Sequence, residues 1–158
     1  MSYLDELKWA NSYERLPILM EQKRHDKKWF EALGNEWSAT DNQWRFAGEL
    51  KRIFANSNRQ LLDSMMTSDE LDALANLPER VMVFRGQDQS LPFGLSWSLD
   101  REVAAQFPFY SRYKCKRPVL LTATLPKEKI VALKLDREEE AIIIPPDEAW
   151  IQLLRVDQ

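Results

Sequence analysis

The sequence predicts an α+β fold: a helical first half over residues 1–80, then a mixed or antiparallel β core over 81–158, the two forming one compact domain. Three observations carry this. Apolar residues up to residue 77 recur at helical spacing. After Pro78 the periodicity changes to short apolar or alternating runs separated by prolines and charges. Only one helical stretch interrupts those runs, too few crossovers for a doubly wound parallel sheet. With 158 residues, 44% of them hydrophobic, the chain can bury one sizeable core.

In the first half, Phe46, Leu50, Ile53 and Phe54, then Leu61, Leu62 and Met65, form one apolar stripe, open to interruption at Asn56-Ser57-Asn58. Thr67 and Glu70 make a capping-box pattern for a short helix that Pro78 ends and that carries Leu71 and Leu74 inward. Trp9, Trp29, Trp37 and Trp44 all fall in the first 44 residues. They read either as core packed against the sheet or as a docking surface for a macromolecule. In the second half, 81–84, 95–97, 119–124, 130–135, 141–144 and 151–156 read as strands. The helix between the second and third has Ser98 or Asp100 as its cap, Val103, Ala104 and Phe107 on its inner face, and Pro108 as its stop.

Composition excludes several classes of chemistry. The net charge is −3, with 11 basic and 14 acidic residues up to residue 80 and 11 of each after it, so no nucleic-acid-binding surface is expected. The single cysteine, Cys115, and the lack of a signal-like or membrane-length apolar run lead us to expect a reducing, cytoplasmic setting with no membrane partner. The single histidine, His25, lies in a charged run far from every other candidate, so neither a histidine-based triad nor a zinc site is expected. Four scattered glycines leave no phosphate loop. Chemistry falls to carboxylates, hydroxyls, Arg and Lys.

Glu138-Glu139-Glu140-Ala141-Ile142-Ile143-Ile144-Pro145-Pro146 puts three carboxylates at the entrance of a β-branched run. Alternation along a strand would set Glu138 and Glu140 on one face as a carboxylate pair. The other reading is a solvated acidic turn before a core strand. Upstream, residues 81–84 run into Arg85-Gly86, and Ser96-Trp97-Ser98 lies in a second strand. Arg85 is open to a strand-end salt bridge, Ser96 to a buried hydroxyl bonded to backbone, and Ser98 to a helix cap.

Taken in order, these motifs resemble the arginine-serine-glutamate class of ADP-ribosyltransferases, in which an Arg-Gly strand end, a Ser-x-Ser strand and a Glu-x-Glu segment line one NAD cleft. Arg85 matches the first motif, Ser96 and Ser98 the second, and Glu138 and Glu140 the third; Trp97 stands where the class often has threonine. The resemblance covers residues 81–154 and implies two packed sheets around the cleft. It implies NAD as substrate, no metal, and a protein acceptor, with Glu-x-Glu pointing to arginine. Glu140, Glu138 and Ser96 would carry the chemistry. Arg85, Gly86, Ser96, Ser98, Phe107 and Tyr110 would bind NAD, Gly86 through its backbone. A loop over 109–117, which interleaves aromatics with bases, would close over the cofactor, against its plainer reading as a solvated loop. Transfer to water, making an NAD glycohydrolase, and a silent interaction module are the competing functions.

Overall fold

The computed structural model describes residues 2–40, 43–110 and 115–154. Its α+β class agrees with the sequence. The first half folds as α1 (Tyr3–Leu7), α2 (Arg15–Met20), α3 (Lys27–Glu36), α4 (Ala47–Ala55), α5 (Arg59–Asp63) and α6 (Ser68–Ala75), with 3-10 turns at Trp37–Ala39 and Gln43–Phe46. The apolar stripe does break at residues 56–58, because the Asn58 side chain caps α5 by accepting from Leu61 N. Thr67 and Glu70 form the full capping box that starts α6.

The second half supplies β1 (Arg80–Asp88), β2 (Ser96–Ser98), α7 (Arg101–Gln106), β3 (Pro118–Pro126), β4 (Ile130–Lys134), β5 (Glu140–Ile143) and β6 (Trp150–Leu153). Asp100, not Ser98, caps α7, its carboxylate accepting from Glu102 N and Val103 N. Pro108 does not stop the chain's helical course, which continues as a 3-10 turn over Phe107–Phe109. A proline near the start of such a turn has no N–H that the turn needs.

Every strand pairing is antiparallel, and the order is β4-β5-β2-β1-β3-β6. The two packed sheets implied by the resemblance are therefore one hydrogen-bonded sheet. Its narrowest point is the contact of β1 with β2, a single registered pair, Phe84↔Ser98. By contrast β1 and β3 share nine, from Arg80↔Pro126 to Asp88↔Pro118. All three residues of β2 register with β5, but only Ser98 registers with β1, so β1 and β2 diverge just before Arg85.

One core joins the halves. Trp29, Phe30, Leu33 and Trp37 from the region of α3, and Leu50 and Phe54 of α4, cluster with Val83, Trp97, Leu121 and Ile142 of the sheet. The early tryptophans divide: Trp29 and Trp37 are fully buried, while Trp9 and Trp44 are 86% and 76% exposed. Below the core a buried ion pair ties α6 to β4, Lys134 Nζ lying 2.9 Å from Glu70 Oε1 and 2.9 Å from Met65 O. The Glu70 carboxylate also accepts from Thr67 N and Leu135 N, which satisfies it on every side that burial would otherwise penalise. The edge strand β4 is blunted by Arg59, whose guanidinium donates to Ile130 O and Val131 O. Among the described residues no helix is long and apolar enough to cross a membrane.

Candidate active site

The divergence of β1 from β2 opens a cleft of about 310 Å³. Its lining includes Arg85 and Gly86 of β1, Ser96 and Ser98 of β2, Phe107 and Tyr110 after α7, and Glu138, Glu139 and Glu140. All eight residues assigned to the site from the sequence thus face one space. A second hollow of about 290 Å³, between residues 123–129 and 143–146, contains one charged side chain, Lys129, and no carboxylate.

Strand register explains how Ser96 and Glu140 come together. Ser96 lies opposite Ile142 and Ser98 opposite Glu140, so all four side chains share one face and Ser96 is the diagonal neighbour of Glu140. The Ser96 hydroxyl bonds the Glu140 carboxylate, and it also lies 3.3 Å from Gln43 Oε1. It accepts in turn from the Trp37 indole N–H at 3.0 Å, and the same N–H reaches Glu140 Oε1 at 3.2 Å. Ser96 is therefore bound to side chains rather than to backbone in these contacts.

Burial raises the Glu140 carboxyl above the usual carboxylate range. The bonds from Ser96 and Trp37 and the charge of Arg85 oppose the rise, and the charge of Asp136 adds to it. The like charge acting on Glu140 is Asp136, where the sequence had suggested Glu138. The reason is the position of Glu138. Strand β5 begins at Glu140, so Glu138 and Glu139 lie in the preceding bend, exposed at the mouth, and the strand alternation expected to pair Glu138 with Glu140 does not apply.

Arg85 is held in a fixed pose, donating from Nε to Gln87 Oε1 at 2.8 Å and from Nη1 to Ser96 O at 2.6 Å. Its guanidinium lies so close over Gly94 that a Cβ there would overlap it. Gly86 lines the cleft and also permits a close packing contact. A Cβ on Gly86 would overlap the Ala104 carbonyl and the Pro108 ring, so its smallness lets α7 and the following turn close onto β1. Ser98 accepts from Asp100 N at 2.9 Å, which fixes the turn into α7. Phe107 and Tyr110 stand edge to face, with centroids 5.7 Å apart. Trp97, at the position that departs from the class, is buried in the core and donates to Gly94 O at 2.9 Å.

The chain matches no family model, no curated protein and no solved structure.

Sequence reasoning missed one wall. Trp37, Ser38, Thr40, Gln43 and Trp44 line the cleft from the helical half. Gln43 donates to Trp37 O at 3.0 Å and to Thr40 Oγ1 at 2.9 Å, which ties this wall together. The Ser38 hydroxyl is buried without a hydrogen-bond partner among the described residues. No spacing pattern marks these residues; the one sequence signal was the crowding of tryptophans. The expected closing loop lies partly outside the described residues, at 111–114. Its far end is fixed: Asp88 accepts from Lys116 N at 2.8 Å and from Arg117 N at 3.1 Å. Hydrogen bonds from the Ser90 hydroxyl and amide, with that from Arg117, hold the Asp88 carboxyl well below the usual range. Among the described residues no group of three or more His, Cys, Asp or Glu side chains is placed to hold a metal ion.

Proposed function

We propose that the chain is a mono-ADP-ribosyltransferase that moves ADP-ribose from NAD to a protein side chain, arginine in the first instance, and releases nicotinamide. The observation that carries the reading is the meeting of Arg85, Ser96 and Glu140, from three strands, in one cleft, with Ser96 bonded to both of the others: its carbonyl to Arg85 and its hydroxyl to Glu140.

The chemistry needs these groups. The bond from the ribose C1′ to the nicotinamide nitrogen breaks, nicotinamide leaves with the electron pair, and the sugar passes through an oxocarbenium-like state. An anion beside that sugar, and a hydrogen bond to its 2′-hydroxyl, strengthen as positive charge develops. The partly desolvated Glu140 carboxylate suits both tasks. Arg85 suits an anionic phosphate oxygen, and its bonds to Gln87 and Ser96 fix the planar group before ligand arrives. The acceptor nitrogen then forms the new bond to C1′ and gives up a proton. Glu138, exposed at the mouth where an acceptor enters, suits the orienting of a guanidinium and the taking of that proton.

The exposure of Glu138 and Glu139 also favours a second reading, transfer to water. Incubation with NAD labelled in the adenosine half separates the readings. Label on protein supports transfer, and free ADP-ribose with nicotinamide but no labelled protein indicates a glycohydrolase. Unchanged NAD refutes both and leaves an interaction module.

A further inference from the structure

Trp37 follows α3 and opens a 3-10 turn, and its ring is fully buried, 6.2 Å from that of Phe54. A buried indole needs an acceptor for its one N–H. A backbone carbonyl is enough, as Leu19 O shows by accepting from Trp29 Nε1 at 2.8 Å. The Trp37 N–H has no such neutral backbone partner; it is shared between Ser96 Oγ of β2 at 3.0 Å and Glu140 Oε1 of β5 at 3.2 Å. We propose that Trp37 is a positioning residue of the site, whose N–H holds the ionised Glu140 carboxylate and the Ser96 hydroxyl in one arrangement. This rests on reading Glu140 as the group that faces the breaking bond.

A donor binds a carboxylate more strongly than a carboxylic acid, so the indole favours the charged form of Glu140 against its burial. Unlike a histidine or a carboxyl donor, it does so at every working pH. It also occupies an acceptor position on Ser96, leaving that hydroxyl's proton for Glu140 or Gln43. Among the described residues the other charged or titratable groups that act on Glu140 or share its cleft are Arg85 from β1 and Asp136, Arg137, Glu138 and Glu139 from the bend before β5, with Tyr110 after α7. Through Trp37 the helical half enters the chemistry rather than merely covering the sheet.

The test replaces Trp37 in the full chain by 3-benzothienylalanine, which keeps the bicyclic shape and puts sulfur where the N–H was. Trp37→Phe is the second variant. Two readouts are taken on each: the titration midpoint of the Glu140 side-chain carboxyl by carbon-13 NMR, and the pH profile of nicotinamide release. The midpoint and the acid limb should both rise by about one pH unit, a tenfold loss of rate below the limb, while the thermal midpoint of the benzothienyl variant stays near wild type. An unmoved Glu140 midpoint in both variants overturns the proposal even if the enzyme is active. A wild-type chain that does not cleave NAD overturns the functional reading instead, and the Glu140 titration still decides the role of Trp37.

Discussion

Glu140 is a carboxyl kept from solvent yet asked to act as an anion, and that conflict sets its pH behaviour. Burial raises its pKa despite Ser96, Trp37 and Arg85, so the acid limb of turnover should lie above the ordinary carboxylate value. The pH profile of nicotinamide release checks this, and a limb at or below the ordinary carboxylate value would show that Glu140 is not the group titrating. Glu138 should fail differently. Because it stands exposed in the bend, Glu138→Gln should abolish labelling of protein while leaving most nicotinamide release, measured on one preparation. If both fall together, Glu138 acts on the bond cleavage itself, and if Glu139→Gln gives the split, Glu139 is the acceptor-side acid. The residues singled out from the sequence line one cleft, but two of them sit there in ways the sequence did not show. Glu138 reaches the mouth from a bend, not a strand face, and Gly86, besides lining the cleft, admits α7 and the turn after it. Neither distinction is visible in sequence, because it depends on where one strand begins and on what packs across another.

At the scale of elements, the site exists because β2 leaves β1 while staying with β5. Its three residues all register with β5 but only Ser98 registers with β1, and the opening begins at Arg85. Gly94, just before β2, lets the Arg85 guanidinium lie flat against the backbone. Gly94→Ala should therefore push the guanidinium out of its bonds to Gln87 and Ser96 at small cost to the fold. NAD affinity by calorimetric titration should fall about tenfold or more, the loss of one charge-assisted contact, with the thermal midpoint little changed. Unchanged affinity would remove Arg85 from NAD binding. A contrasting change lies at the α6–β4 contact. Lys134→Met leaves the Glu70 carboxylate buried beside its two backbone donors but without its cation, which should cost about 3 kcal/mol in denaturant unfolding. The six strands were legible because their apolar runs are bounded by prolines and charges. The cleft wall of Trp37, Ser38, Thr40, Gln43 and Trp44 was not, because short 3-10 turns have no periodicity to read.

Across the whole molecule, two carboxyls, the buried Glu70 and the part-buried Glu140, act on stability with opposite sign. Burial would raise Glu70, but bonds from Thr67 N, Lys134 Nζ and Leu135 N hold it below the usual range. Its contribution is thus present above the ordinary carboxylate pKa and lost as pH falls through its lowered folded value. Glu140 is raised, so the folded chain binds more protons than the unfolded chain between the ordinary value and the raised one, and stability declines as pH rises through that window. Glu140→Gln should abolish that decline and leave the acid loss due to Glu70; thermal melts of the two chains between pH 3 and 8 check both signs. The shared core means that the helical half cannot be regarded as a separate appendage, since Trp37 lies in that core and in the cleft at once.

The most direct measurement is nicotinamide release from NAD by the wild-type chain and by Glu140→Gln under identical conditions, above the acid limb, with thermal midpoints recorded on the same samples. Removing one electrostatic stabiliser of the transition state should lower turnover on the order of 10²-fold or more, with the fold intact. A folded Glu140→Gln chain that releases nicotinamide at the wild-type rate, or a wild-type chain that releases none, would contradict the account.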